Sequence, residues 1–480
     1  MQSFGDLSAG CIVSFVRRFV CALPLVLGLS VISTNATALD IGFELSSTAF
    51  LSDNLNQDNP GGEVDGSIGI STIEVFGSHD SRRIRSGFLG ELGVRRQLGS
   101  DDGVGDGDNV SLTRFFGSVD LTLTRQVSWF FGNVLGGTLR DNAIAVTNQA
   151  ELLSNRRNVF VTGPQFDIEF SSLSRLEGRL FFINNSDDAG TPLPEFLELQ
   201  LDYDSSLGAG DVWGWRAENI AGDYPSAAVE DDFNRLTLGL TGTRTRNLNT
   251  WDVFLGASQF SVDNQADFET TGAVGRLRFE RRNSEFNSFF AELSRSILDD
   301  TLSATNSLIN TGDARTPEIP GVFNDTTFRV GQDFASTVTA FSWDVGVSDA
   351  DFEGVLGLNG FTQADADQQD QQRFFANFDT TRRLAARWRF GASLNYQQED
   401  FLNNDDNSES FLALATLGYL VGDFRLEVSL QHEIMEGFET APGGVDITDV
   451  TENQVLFGIF YEPPTRASRE AVQRLNTLLF

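Results

Sequence analysis

The chain contains no lysine: all 34 of its basic residues are arginines, set against 68 aspartates and glutamates, for a formal net charge of −34. That acidity excludes a nucleic-acid backbone as partner. Cysteine occurs only at Cys11 and Cys21, both near the amino end. Beyond them there is no disulfide, no thiol nucleophile and no cysteine metal site, so an exported form must be held by its core or its sheet. Histidine occurs only at His79 and His432. A hydrolase would need a nucleophile, a base and an orienting group within mutual reach, and no serine context supplies them. Carboxylate pairs such as Asp202 and Asp204 are too common to imply acid/base work. No phosphate loop, zinc-helix motif or calcium-loop spacing is present. The expectation is a protein that is not an enzyme, with no cofactor and no metal. The two histidines read as solvated residues at strand ends, with a meeting across a closing seam as the sharper alternative.

Long apolar runs are also missing. The single one covers residues 19–32, about 14 residues, short of the roughly 20 a spanning helix needs. Arg17 and Arg18 precede it and Ala36-Thr37-Ala38 follows, the order of a secretory signal with its cleavage site. A short membrane anchor is the alternative. Arg18-Phe19-Val20 before Cys21 lacks the small residues of a lipoprotein signal. Residues 1–38 are therefore expected to be an export signal. If the remainder lies in a membrane, it must cross by strands closed into a barrel, because only helices and barrels satisfy every backbone group in lipid.

What the chain does have is alternation. Leu236, Leu238 and Leu240 alternate with Thr237, Gly239 and Thr241; after a polar turn, Trp251, Val253, Leu255 and Ala257 do the same. Side chains on a strand point to opposite faces with period two, so this is a hairpin with one greasy and one wet face. It needs neighbours on both edges. Similar segments recur at 39–52, 67–79, 84–96, 110–124, 127–140, 158–171, 175–185, 195–205 and 212–219. After the hairpin they continue at 272–281, 285–296, 326–334, 338–348, 372–381, 385–397, 410–421, 424–433 and 453–461. The spacing predicts an all-β chain: one antiparallel transmembrane barrel of about 20 strands, range 16 to 22, over residues 39–461. Residues 462–480, after Pro463-Pro464, read as a periplasmic tail with a short helix or a frayed end.

Connections alternate in length. Short turns fall near Arg82, Arg125, Ser172, Leu207, Arg246, Asn283, Ala335, Arg383 and Gly422. Between them come polar stretches at 53–66, 97–109, 141–157, 186–194, 220–232, 262–271, 297–325, 349–371, 398–409 and 434–452. A soluble sandwich has no reason to keep that rotation, whereas barrels have short periplasmic turns and long outer loops. The long stretches are acidic, as at Glu230, Asp231 and Asp232, and either solvate the loops or shape what approaches from outside. The stretches 297–325 and 349–371 are the candidates to fold inward. Phenylalanine, at 42 residues, dominates the aromatics, and doublets such as Phe130-Phe131 and Phe181-Phe182 must place one ring on each face.

The candidate functional residues are charges on the inward face: Arg175, Arg179, Arg276, Arg278, Arg329, Arg387, Arg389, Arg425, Glu177, Glu198, Asp202, Asp252, Glu280, Glu292, Asp344 and Glu427. An arginine on the lipid face would cost about 2–4 kcal/mol at mid-bilayer, so the lumen is where they belong. Some are expected to pair and hold the wall, and others to line a path.

Several stretches resemble a family of porin-like outer-membrane β-barrels found in exopolysaccharide and PEP-CTERM/exosortase gene neighbourhoods. They are the first strand with Phe50-Leu51-Ser52-Asp53-Asn54-Leu55, the run from Asn158 through Gly163-Pro164 to Phe166, and Thr451-Glu452-Asn453 before the last strand. The resemblance implies a pore in the outer membrane of a Gram-negative bacterium, for passage or export of a polysaccharide. Its implied partners are outer-membrane lipid, the outer-membrane assembly machinery, polysaccharide and periplasmic export proteins. It supplies no catalytic residues. A general diffusion porin for small solutes and a structural or adhesive barrel with acidic outer loops are the alternatives.

Overall fold

The computed structural model describes residues 40–53, 66–100, 110–136, 157–187, 195–208, 210–225, 230–262, 268–299, 321–355, 370–402, 407–438 and 447–461. The expected signal segment and the tail after residue 461 lie outside the described residues. Among the described residues twenty strands follow one another: β1 (Asp40–Ser52), β2 (Gly66–Asp80), β3 (Ile84–Ser100), β4 (Val110–Thr122), β5 (Val127–Gly136), β6 (Arg157–Ser171), β7 (Ser174–Asp187), β8 (Glu195–Gly208), β9 (Asp211–Pro225) and β10 (Glu230–Arg246). They continue with β11 (Asn249–Val262), β12 (Phe268–Ser284), β13 (Asn287–Asp299), β14 (Gly321–Ala335), β15 (Thr339–Val355), β16 (Gln371–Arg383), β17 (Trp388–Phe401), β18 (Asn407–Val421), β19 (Phe424–Phe438) and β20 (Ile447–Tyr461).

Each strand pairs antiparallel with the next in sequence, and β1 pairs with β20 from Leu45↔Tyr461 to Ser52↔Gln454. The ring is closed, so the wall has no edge at the seam. A clasp of polar contacts lies at the top of that seam. The Asp53 carboxylate accepts from the Asn453 backbone N–H and from its Nδ2, each at 2.7 Å. Below it Ser52 donates to Glu452, which is fully buried. The opening and closing stretches that carry the family resemblance therefore meet across the seam.

The β10–β11 hairpin shows how the faces divide. Leu240 and Leu255 are direct cross-strand partners, exposed to 67% and 63%, while Ser258 on the other face is buried. The same outward row runs round the ring through Leu199, Leu277, Leu293, Phe328, Val347 and Leu430. A contiguous apolar belt of this size is not compatible with water and is what hydrocarbon requires. Near the short-turn ends, outward aromatic pairs stand at Trp251–Phe279 (4.6 Å), Trp388–Tyr419 (4.7 Å) and Phe424–Tyr461 (5.0 Å). They form an interfacial girdle. The short turns use left-handed residues where two-residue hairpins need them, as at Asn247 (φ 54°) and Gly422 (φ 65°).

Three expectations need correction. The stretch 220–232 is mostly strand, and 262–271 is strand at Val262 and from Phe268 on: β9 runs to Pro225 and β10 begins at Glu230, so Glu230, Asp231 and Asp232 pair with Pro225, Tyr224 and Asp223. The hydrophobic alternation ends where lipid ends, but the hydrogen-bond ladder continues beyond it. The strand expected from residue 385 begins at Trp388, because Leu384 and Ala385 both donate to the Trp388 carbonyl and close a turn. The histidines do not meet across the seam. His79 lies beside the short-turn end of β2, whereas His432 sits well up β19 with Nδ1 2.8 Å from Asn453 Oδ1.

The belt yields a first prediction. Leu240→Arg should destabilise the barrel by about 2–4 kcal/mol, whereas Thr243→Arg on the inner face should cost under about 1 kcal/mol. Urea titration of the protein folded into lipid vesicles measures both.

Candidate functional site

The inner wall is built by register. Directly paired residues share a face, so the exposed leucines fix which parity looks inward. By that criterion Arg175, Glu177 and Arg179 of β7, Glu198 and Asp202 of β8, and Asp252 of β11 face the lumen. So do Arg276, Arg278 and Glu280 of β12, Glu292 of β13, Arg329 of β14, Asp344 of β15, Arg389 of β17, and Arg425 and Glu427 of β19. Arg387 does not. It lies in the turn before β17, where the ladder has not begun, and belongs to the short-turn mouth rather than the wall.

Many of these charges are ion-paired, some across strands and some along one strand. Arg179 meets Glu198 at 2.8 Å, Arg216 meets Asp202 at 2.6 Å, and Arg235 meets Glu218 at 2.7 Å. Arg175 bridges Asp167 and Glu177, and Arg425 meets Glu427 at 3.1 Å. Such a ladder ties neighbouring strands and neutralises the wall between β6 and β10. Asp167, Arg216, Glu218 and Arg235 were missed by the sequence reading. The same parity test applied to every strand would have included them.

A different arrangement occupies β12 to β14. Arg278, Glu292 and Arg329 form one cross-strand row, and Arg276, Ser294 and Thr327 form the row above it. Glu292 lies 3.1 Å from Arg278 and 3.5 Å from Arg276. Phe290, in the row below, carries the Arg278 guanidinium 4.9 Å and the Arg329 guanidinium 5.1 Å from its ring centre. A Cβ on Gly331 would stand 2.7 Å from that ring, so only glycine lets the ring lie against the wall. Among the described residues Arg329 makes no ion pair. Half-way round the ring, Glu44, Glu74 and Glu91 share one cross-strand row on β1 to β3.

Above the charged ladder the inner face turns apolar. Phe130 is 1% exposed against 39% for Phe131, and Phe181 is 2% against 40% for Phe182. The inward rings join Phe196, Phe233, Phe260, Val262 and Val274 in one buried cluster. Successive rings touch, with Phe196–Phe233 at 5.6 Å and Phe233–Phe260 at 5.7 Å.

Part of that cluster is covered by the wall's own strands. β12 and β13 pair only as far as Gly275↔Arg295; beyond it β13 pairs with β14 alone. Ile297, Val322 and Asn324 have lipid-face parity, yet all three are buried, and Ile297 and Val322 belong to the inner cluster. A Cβ on inward-facing Gly272 would lie 3.4 Å from Ile297 Cδ1 and 3.6 Å from Asn324 Oδ1. The Arg235 guanidinium, on β10, donates to the Ile297 carbonyl at 3.4 Å. The upper ends of β13 and β14 therefore leave the wall and lie across the inner face of β10 to β12. On the other side Asn324 donates to Glu353 at 2.6 Å, which ties β15 to the same tongue. The stretch 297–325 thus turns inward at both described ends; residues 300–320 and 356–369 lie outside the described residues.

A closed antiparallel ring, greasy outside and charged within, defines an outer-membrane β-barrel. Solved structures of that class match it along most of its length. The copper transporter OprC aligns over 88% of this chain and 80% of its own, at 10% identity and a TM-score of 0.50. The FrpB iron transporter from Neisseria meningitidis (F3-3 variant) aligns over 87% and 81%, at 7% identity and a TM-score of 0.51. At these identities the likeness establishes the fold. No protein-family profile matches the sequence, and no curated protein does either.

Arg235 anchors the tongue and neutralises Glu218. Arg235→Ala should therefore cost about 3–5 kcal/mol, because it strands a half-buried carboxylate. Amide exchange at Ile297 should quicken with it, which hydrogen-exchange mass spectrometry would detect.

Proposed function

We propose that the protein is a passive outer-membrane channel whose cargo is carbohydrate. The observation that carries the channel reading is the charged inner wall: ion pairs and arginines on the face that the leucine belt excludes from lipid. Charges in that number need water or one another, and a ring of 16 to 18 strands already encloses an aqueous path. The tongue of β13 and β14 narrows it above the arginine-rich sector. The glutamate row of β1 to β3 stands on the other side of the ring.

Support for carbohydrate comes from the sequence resemblance. The same resemblance, with Arg17-Arg18 and the apolar run after it, supports export by residues 1–38 to the outer membrane of a Gram-negative cell. A general diffusion porin is the second reading. The dense pairing on β6 to β10 favours it, since a neutralised wall discriminates little.

Planar-bilayer recording tests the channel. The purified barrel should give stable single-channel steps, and Arg276→Ser with Arg278→Ser and Arg389→Ser should move the reversal potential in a salt gradient toward cation preference. A barrel that inserts and conducts nothing refutes the reading. Unchanged selectivity in the triple variant would place the path elsewhere in the lumen.

A further inference from the structure

We propose that the patch formed by Arg276, Arg278, Phe290 and Arg329 is a binding site for the carboxylate of an acidic saccharide. It deepens the carbohydrate-channel reading and rests on it.

The argument begins with charge. Along β6 to β10 each inward arginine has a carboxylate to itself or shares two, as Arg179 has Glu198 and Arg235 has Glu218. On β12 to β14 the ratio reverses: Glu292 is shared by Arg276 and Arg278, and Arg329 has no carboxylate among the described residues. Asp252 stands beside Arg278 across the β11–β12 pair, makes no ion pair among the described residues, and accepts the Thr243 hydroxyl at 2.8 Å. Glu280 lies 3.2 Å from Arg282, and Asp325 accepts from Thr327 at 2.9 Å. Within the patch three guanidiniums meet a single carboxylate, Glu292, while Asp252, Glu280 and Asp344 flank it in the neighbouring positions.

Geometry comes next. Arg278 and Arg329 both lie against the Phe290 ring, which fixes their planes and lowers the entropy lost when an anion binds. The Arg276 side chain is 51% exposed and open to the lumen. Arg276 and Arg329 sit two strands apart, roughly 10 Å at the backbone, a span their side chains can close around one carboxylate. Ser294 lies between Arg276 and Thr327 in the row above, within reach of sugar hydroxyls. Glu292 in the centre disfavours a dianion, which selects a carboxylate over a phosphate monoester. The tongue crosses the inner face of β10 to β12 above this sector.

Titration calorimetry of the folded barrel in detergent reads binding without conduction. Trigalacturonate should bind at least about tenfold more tightly than neutral maltotriose. Arg276→Ser with Arg329→Ser should weaken trigalacturonate by about tenfold or more, and the lysine pair at the same positions by less, because it keeps the charge but not the fork. Arg85→Ser, which removes the partner of Asp120 on β3 and β4, should leave trigalacturonate affinity unaltered. Equal affinity for the two sugars overturns the proposal. So does wild-type affinity in a double serine variant that shows the heat-dependent gel mobility of a folded barrel. If the double variant does not fold, the two single serine variants carry the same comparison. Binding with no bilayer conductance would instead refute the channel and leave the carboxylate site standing.

Discussion

A peptide group in hydrocarbon has no water to bond, and each one left unpaired costs several kcal/mol. For a chain without a spanning helix, the single remedy is a sheet that closes on itself. The β1–β20 pairing supplies it, and the Asp53–Asn453 clasp fixes the register where the first and last strands meet. Once the ring is closed, everything else is constrained. One parity of every strand must be apolar, and the other is free to carry charge.

The inner wall uses that freedom unevenly. From β6 to β10 the charges pair across strands and hold the wall. From β12 to β14 Arg276 and Arg278 share one carboxylate, and Arg278 and Arg329 share one phenylalanine ring. Above them the lumen becomes apolar and is partly covered by the upper ends of β13 and β14. The wall is stiff because it is a continuous ladder; the tongue is held by fewer bonds, among them Arg235 to the Ile297 carbonyl. A ladder of paired charges and a sector in which two arginines share a carboxylate thus occupy different arcs of one ring.

Much of this could be read from the residues, and the failures have physical causes. The alternation at residues 236–240 and 251–257 placed the hairpin, and the rotation of short and long connections separated a barrel from a soluble sandwich. Strand ends beyond the lipid were missed at Glu230–Asp232, because polar residues there satisfy water while their backbones still pair. Arg387 read as a wall residue, since Arg387 and Arg389 share a parity; the turn that ends at Trp388 removes it. The inward phenylalanines were counted from the doublets, but their joining into one cluster depends on rings from seven or more strands arriving at one level.

By itself the sequence determined which side chains share a face, because a strand has only two. It determined that the chain crosses lipid by strands, because no helix-length run exists after residue 38. Tertiary structure alone decided which arginine meets which carboxylate, since pairing depends on register between strands distant in sequence. It also decided that Ile297 and Val322 are buried inside the barrel although their parity matches the lipid row. Parity names two faces; only the path of the backbone says which compartment each face meets once a strand leaves the wall.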